Sequence, residues 1–129
     1  MGQRYLADSN VIIDYTAGLL PASSGDFLED IFNEEFLISV IVKIEVLGFD
    51  HVFNKLEAME RFLNSGTDLP LDETITNECI LLRRRHKKLK LPDAIIAATA
   101  KVHGLILLTN NAKDFANIKS LKILNPYDL

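Results

Sequence analysis

Short apolar segments with the pattern of strands alternate with longer segments of helical periodicity along this 129-residue chain. Two helical segments lie between each pair of consecutive strands among the first four, and the fifth predicted strand follows the fourth without a predicted helix. Because strands joined by helical crossovers run parallel, this order favours an α/β fold, a three-layer α/β/α sandwich with a mostly parallel central sheet. The lack of repeats and linkers predicts a single domain over residues 1–129. The predicted strands cover residues 4–7, 36–39, 67–71, 105–108 and 121–124.

Cap and turn residues predict where the helices begin and end. Ser39 is placed to cap a helix that Gly48 closes, and Pro92 suits the first turn of a helix that Gly104 terminates. Residues 21–25 contain proline, serine and glycine and are predicted to form a loop. The helix that Gly104 terminates is predicted over 93–102, and other helices are predicted in the segments 11–15, 27–32, 52–63 and 72–86.

The bulk composition narrows the class of protein. The formal net charge is −4, so the chain as a whole lacks the basic character of a general nucleic-acid binder, although local patches matter more than the total. The one cysteine, Cys79, has no internal partner for a disulfide, so nothing requires an oxidising compartment. No signal-peptide core or apolar run of membrane-spanning length is present, and we expect a cytoplasmic protein.

Four acidic residues occupy corresponding places in the predicted fold. Asp8 follows the first strand directly, and Asp114 comes shortly after the fourth. Glu45 lies about two turns into the helix after the second strand, and Asp93 lies in the first turn of its helix. Because parallel α/β sheets bind ligands outside the carboxyl ends of their strands, we expect these four acids to share one cleft.

A shared cleft of this kind favours a divalent metal. Two carboxylates at roughly 5 Å repel each other by about 3 kcal/mol at an effective dielectric constant near 20. A hard cation that prefers oxygen ligands relieves this repulsion, so Mg²⁺ is the predicted ion and Mn²⁺ its near-equivalent. No cluster of histidine and cysteine is present to favour zinc.

Simpler interpretations of the same residues stay open from the sequence. Asp8 is also suited to cap a helix, Glu45 to lie on a surface face, Asp93 to begin a helix beside Pro92, and Asp114 to lie in a polar loop. A basic run ends just before Asp93 and is either a solvated helix end or a surface that contacts phosphates. It comprises Arg83, Arg84, Arg85, Lys87, Lys88 and Lys90.

The ordered set of motifs resembles the PIN domain family, and in particular the VapC toxins of toxin–antitoxin pairs. Residues 6–14 resemble the first motif of that family, 39–45 the second, 91–100 the third and 107–115 the fourth, and residues 121–126 resemble its final strand. Each motif alone is weakly specific, but the four occur in order across nearly the whole chain.

This resemblance implies a metal-dependent endoribonuclease. Asp8, Glu45 and Asp93 would form the core of the metal site, with Asp114 as the fourth acid. The supporting polar residues would be Asn10, Thr109 and Asn111. Many family members carry an acid at the position of Asn111, so the fourth ligand position is divided here between Asn111 and Asp114.

The family's chemistry implies one or two Mg²⁺ ions that orient the scissile phosphate and activate a water, leaving a 5′-phosphate and a 3′-hydroxyl. RNA would lie along Arg83, Arg84, Arg85, Lys87 and Lys88. The family also implies a small antitoxin partner and a homodimer, for which the segments 27–32 and 52–63 are candidate surfaces, although both are equally suited to the core. One alternative is a PIN-like module that binds RNA or protein without cutting. A haloacid-dehalogenase type of phosphatase is disfavoured because Asn10 stands where that chemistry needs an aspartate.

Overall fold

The computed structural model describes residues 2–48 and 55–129, and its elements follow the predicted alternation. The prediction of an α/β fold is confirmed. The part of the predicted helix that contains Val52 and Phe53 lies outside the described residues. The elements in chain order are β1 (Tyr5–Ala7), α1 (Ser9–Thr16), α2 (Ala22–Glu34), β2 (Leu37–Ser39), α3 (Val40–Leu47), α4 (Lys55–Asn64), β3 (Thr67–Leu69), α5 (Glu73–Arg85), α6 (Leu91–His103), β4 (Ile106–Leu108), α7 (Ala112–Phe115), β5 (Ile123–Leu124) and a C-terminal 3₁₀ turn (Pro126–Asp128).

All described strand pairs are parallel. β4 lies between β1 and β5, β2 pairs with β3, and β1 lies beside β2. Ala7 is opposite Leu108, which is opposite Leu124, so these strands end at one edge. The residues that follow β1 and β4 therefore emerge side by side, as the functional prediction requires.

Apolar side chains on both the sheet and the helices form the core. Leu6, Leu107 and Leu108 from the sheet are fully buried, as are Ile96 and Ala97 on α6. The helices α5 and α6 pack closely against each other, and a salt bridge of 3.0 Å joins Glu78 of α5 to Lys101 of α6. No helix within the described ranges combines the length and the apolar character needed to cross a membrane.

Several predicted boundaries have the expected physical basis. Pro92 lies in the first turn of α6, and Gly104 ends that helix with a φ of 65°, a left-handed conformation that glycine adopts without strain. Asp72 caps α5 by accepting a hydrogen bond of 2.9 Å from the Ile75 amide.

Two local predictions were wrong. Residues 21–25 are not a loop, because α2 begins at Ala22 and the Gly25 amide already donates a helical bond of 2.9 Å to the Pro21 carbonyl. The amides of Ala22, Ser23 and Ser24 stand in the first turn, where a helix leaves its amides without helical partners in any case. Ser39 stands at the cap position of α3 but makes no side-chain cap bond. Its side chain is buried with β2, and its hydroxyl has no hydrogen-bond partner within the described part of the chain. The short helix α7 and the 3₁₀ turn were not predicted.

Candidate active site

Asp8 is fixed at the end of β1 by both its backbone and its side chain. Its amide continues the ladder with a bond of 2.8 Å to the Leu108 carbonyl, and its Oδ1 accepts a bond of 2.8 Å from the Ser9 amide at the start of α1. The residue is only 5% exposed. Asp8 therefore does cap α1, as the simpler interpretation held, and the same contacts set its carboxylate at the sheet edge.

Two hydroxyl groups complete the surroundings of Asp8. The Thr109 hydroxyl donates to Asp8 Oδ2 at 2.9 Å and accepts from the Asn111 amide at 3.0 Å. Thr109 is fully buried, so this contact is shielded from water. The Ser9 hydroxyl lies 3.1 Å from Glu45 Oε1 and 3.4 Å from Asp8 Oδ1. Ser9 thus links the first acid to the second, a role that the sequence analysis missed.

Glu45 comes from α3, which packs against α1. The buried side of α3 carries Val42 and Val46, and Glu45 lies half-buried beside that face. Its contact with Ser9 shows that it points toward the start of α1 and is not simply a solvated surface residue. The apolar residues around Glu45 in the sequence indicated this position, because a carboxylate within an apolar helix needs a polar partner.

Asp93 shows most clearly that the acids lie together. Its pKa is raised from the ordinary value of 3.8 to about 6, first by burial and then by the negative charges of Asp8, Asp114 and Glu45, in that order. The positive charge of Lys90, at the cap position of α6, acts in the opposite direction. The structure therefore places acids from three other segments within electrostatic reach of Asp93.

The fourth motif runs from the buried strand β4 into the short helix α7. Asp114 lies in α7, and Asn111 stands at the start of that helix without a side-chain cap bond. Asn10, Asn111 and Asp114 are all exposed, whereas Thr109 is buried. Of these predicted residues, Asp114 acts on Asp93 through its charge and Thr109 holds Asp8 directly.

The oxygen-rich donor set fits a hard divalent cation held through few direct protein ligands. Within the described residues no three His, Cys, Asp or Glu side chains are arranged to ligate one ion together. Electrostatic influence extends further than a ligand bond, so this spacing agrees with the raised pKa of Asp93. Mg²⁺ commonly binds through one or two carboxylates and keeps several waters, and that mode suits an open group of acids.

The basic run lies at the same end of the molecule as Asp93. Arg83, Arg84 and Arg85 form the last turn of α5, and the chain then leads directly into α6. The contact between Glu78 and Lys101 shows that the two helices run antiparallel, which places the C-terminal end of α5 beside the N-terminal end of α6. The six basic side chains are exposed, so their charge is available to a ligand next to the acids.

The fold and the site define a known family. The chain matches the PIN domain model over residues 5–121 and therefore belongs to the PIN domain family. The resemblance inferred from the motifs is confirmed.

Relatives within that family are VapC ribonucleases and toxin–antitoxin complexes. The chain is 27% identical to Ribonuclease VapC1 of Rickettsia felis, over 92% of this chain and 93% of that protein. It is 30% identical to a chain of a toxin–antitoxin complex from Klebsiella pneumoniae, with a TM-score of 0.78 over 97% of this chain and 99% of that one. A chain of VapBC2 from Rickettsia felis bound to promoter DNA shares the fold at 22% identity, with a TM-score of 0.75 over 95% and 98% of the two chains.

Proposed function

We propose that this chain is a Mg²⁺- or Mn²⁺-dependent endoribonuclease and the toxin of a toxin–antitoxin pair. The observation that carries the proposal is the position of Asp93 in a PIN fold, where burial and three further carboxylates raise its pKa. Such a concentration of negative charge is costly for a folded protein and marks a candidate functional site. The curated relative is itself named a ribonuclease.

The protein groups around the site have distinct roles in this proposal. Thr109 and the Ser9 amide hold the two oxygens of Asp8, so that carboxylate keeps one orientation. Glu45 is linked to it through the Ser9 hydroxyl, and Asp93 faces both from the start of α6. A metal held by these acids would offset their charge, stabilise charge on the phosphodiester and make a water more acidic. Hydrolysis in which water adds to phosphorus and the P–O3′ bond breaks, with O3′ taking up a proton, would leave a 5′-phosphate on one fragment and a 3′-hydroxyl on the other.

The direct test is incubation of the purified chain with total cellular RNA in Mg²⁺ or Mn²⁺, with EDTA as the comparison. We expect discrete fragments that carry 5′-phosphates and appear only with metal. Fragments with 2′,3′-cyclic phosphates would contradict the proposed chemistry. A chain that binds RNA with equal affinity in EDTA and never cleaves it would support the non-catalytic module instead.

We propose that the basic run holds the RNA backbone beside the acids. The double substitution Arg84→Glu/Lys87→Glu should lower the cleavage rate at low salt by about tenfold or more, because two phosphate contacts become repulsive. The dependence of RNA binding on salt concentration should also weaken. Both side chains are exposed, so the fold should tolerate the change.

The matched control is Lys119→Glu/Lys122→Glu, which changes the net charge equally. These residues are exposed and precede β5, and parallel strands place them at the sheet edge opposite to Asp8. The control should cleave at the wild-type rate. Equal rates for the two double variants would show that the basic run does not contact RNA.

We also propose that an antitoxin occupies an open groove of about 760 Å³ between α1, α2 and α4. Apolar side chains line much of it, including Ile13, Leu20, Met59 and Phe62. The charged lining residues are Asp26, Glu29 and Lys55, which leaves a net negative charge. The groove coincides in part with the two segments that the sequence analysis selected. A mostly apolar segment with basic residues would complement this surface. The solved complex from Klebsiella pneumoniae pairs a toxin with an antitoxin.

Filling the groove should block that partner. Ala58 is exposed and lines the groove, so Ala58→Trp should raise the Kd for the small protein encoded beside this chain by at least about tenfold. Glu60→Trp, on the same helix but outside the groove lining, serves as the control. Equal Kd values for the two variants in a binding titration would place the antitoxin elsewhere.

We also propose that the chain forms a homodimer. Large apolar side chains are exposed on helices outside the groove, with exposed fractions of 61% for Ile44 on α3, 44% for Ile80 on α5 and 50% for Leu91 on α6. Such residues are suited to a subunit interface.

A further inference from the structure

The C-terminal 3₁₀ turn is fastened to the helix that begins at Asp8. The Tyr127 hydroxyl donates a hydrogen bond to Asp14 Oδ2 on α1. Asn125 shapes the turn by accepting a bond of 3.0 Å from the Tyr127 amide. The Ser23 hydroxyl on α2 donates to the Leu129 carbonyl at 3.0 Å. The end of the chain therefore holds two helices against the sheet.

Tyr127 lies close to the acidic site. Its hydroxyl is 3.5 Å from the Asn10 carbonyl, and Asn10 is one turn before Asp14 on the same face of α1. Burial, the bond to Asp14 and the charges of Asp14 and Asp8 together raise the pKa of Tyr127 above its usual range. The phenol consequently keeps its proton and stays a donor at physiological pH.

The same segment supports the opposite side of Asp8. The Leu124 carbonyl in β5 accepts a bond of 3.1 Å from the Thr109 amide, and the Thr109 hydroxyl holds Asp8 Oδ2. Asp8 is thus supported by Thr109 on one side and by α1 on the other, and both supports make hydrogen bonds to residues 123–127.

The helix α1 depends on such tertiary support. It has eight residues, fewer than an isolated helix needs to be stable in water. The Val11 and Ile12 amides both donate to the Asp8 carbonyl, at 3.1 and 3.3 Å, so motion of the first turn moves Asp8 directly. A contact at Asp14 restrains this turn because both lie on the same short helix.

We propose that Tyr127 is a positioning residue of the active site, which acts through its bond to Asp14 to hold the first turn of α1 and with it Asp8 and Asn10. This inference rests on the proposed function for its catalytic consequence. The loss of residues that orient a metal ligand typically lowers metal affinity or activity by about 10- to 100-fold. A role confined to overall stability would leave both unchanged below the melting transition.

The test compares Tyr127→Phe with Tyr5→Phe, which removes a hydroxyl bonded to the exposed Gln3. Below the melting transition, Tyr127→Phe should raise the exchange rate of the Val11 and Ile12 amides and the Kd for Mn²⁺ by about tenfold each. In cleavage assays kcat should fall by a similar factor while KM for RNA changes little. Tyr5→Phe should match the wild type in all these measurements.

Variants at Asp14 distinguish positioning from packing if Tyr127→Phe folds poorly. Asp14→Ala should raise the amide exchange rates and the Kd for Mn²⁺ as Tyr127→Phe does. Asp14→Asn keeps an oxygen acceptor for the phenol, so both quantities should rise clearly less. The double variant Tyr127→Phe/Asp14→Ala should have the same amide exchange rates and Kd for Mn²⁺ as Asp14→Ala alone, because the two substitutions remove the same hydrogen bond. Wild-type amide exchange and Mn²⁺ affinity in Tyr127→Phe would overturn the inference whether or not the chain cleaves RNA.

Discussion

Asp93→Asn is expected to lower the rate of metal-dependent RNA cleavage by about 10³-fold under single-turnover conditions. The substitution keeps the shape of the side chain but removes its charge, and a catalytic metal contributes several kcal/mol of transition-state stabilisation. Asp93 is the residue on which the charges of Asp8, Asp114 and Glu45 converge, so its loss should weaken the site as a whole.

The matched control for this prediction is Asp30→Asn. Asp30 is an exposed residue of α2, and the same chemical change there should leave the rate unaltered. Circular dichroism would first establish that both variants are folded. A folded Asp93→Asn chain that cleaves within about threefold of the wild-type rate would exclude Asp93 from the catalytic site.

The same Asp93→Asn substitution should make the metal-free protein more stable at pH 7.5. The pKa of Asp93 is about 6 in the folded chain against an ordinary value of 3.8, so the folded state resists ionisation of this carboxyl. An asparagine avoids that cost. Since the carboxyl is only partly buried, solvent screening limits the expected gain in unfolding free energy to about 1 kcal/mol, or a rise in Tm of about 4 °C.

The sign of the pH dependence follows from the raised pKa. Between about pH 4 and pH 6 the folded chain holds a proton on Asp93 that the unfolded chain has released, so wild-type stability falls as the pH rises through this window. The advantage of Asp93→Asn should therefore be complete above pH 6 and small near pH 4. Thermal melts of both proteins in EDTA at pH 7.5 and pH 4.5 measure the difference in Tm between Asp93→Asn and the wild type. The same difference at both pH values would contradict a raised pKa for Asp93. Saturating Mn²⁺ should reverse the order at pH 7.5, because it stabilises the wild type more.

The order of the elements and the gathering of the acids could be predicted from the sequence. Parallel strands joined by helices leave few topologies. Asp8 and Asp114 follow strands and Asp93 begins a helix, so each has a sequence position that indicates the edge of the sheet where ligands bind. Glu45 was detectable because a carboxylate within an apolar helix needs a polar partner. These predictions depend on patterns that repeat over many residues.

Other features depend on single side-chain contacts and could not be predicted in this way. Ser9 has no distinguishing local pattern, because its link to Glu45 arises only from the packing of α1 against α3. Ser39 has the identity of a cap residue, but its burial with β2 keeps its hydroxyl from α3. Tyr127 and Asp14 are 113 residues apart, and no local pattern joins them.

The most direct test of the central claim is a crystal structure of the chain soaked in Mn²⁺, with anomalous diffraction used to locate the metal. We predict an anomalous peak at coordination distance from one or two carboxylates among Asp8, Glu45, Asp93 and Asp114, and no peak there in Asp93→Asn crystals. A wild-type structure in which Mn²⁺ binds elsewhere, or in which these acids remain without metal at saturating Mn²⁺, would contradict the claim that they form one metal-dependent site.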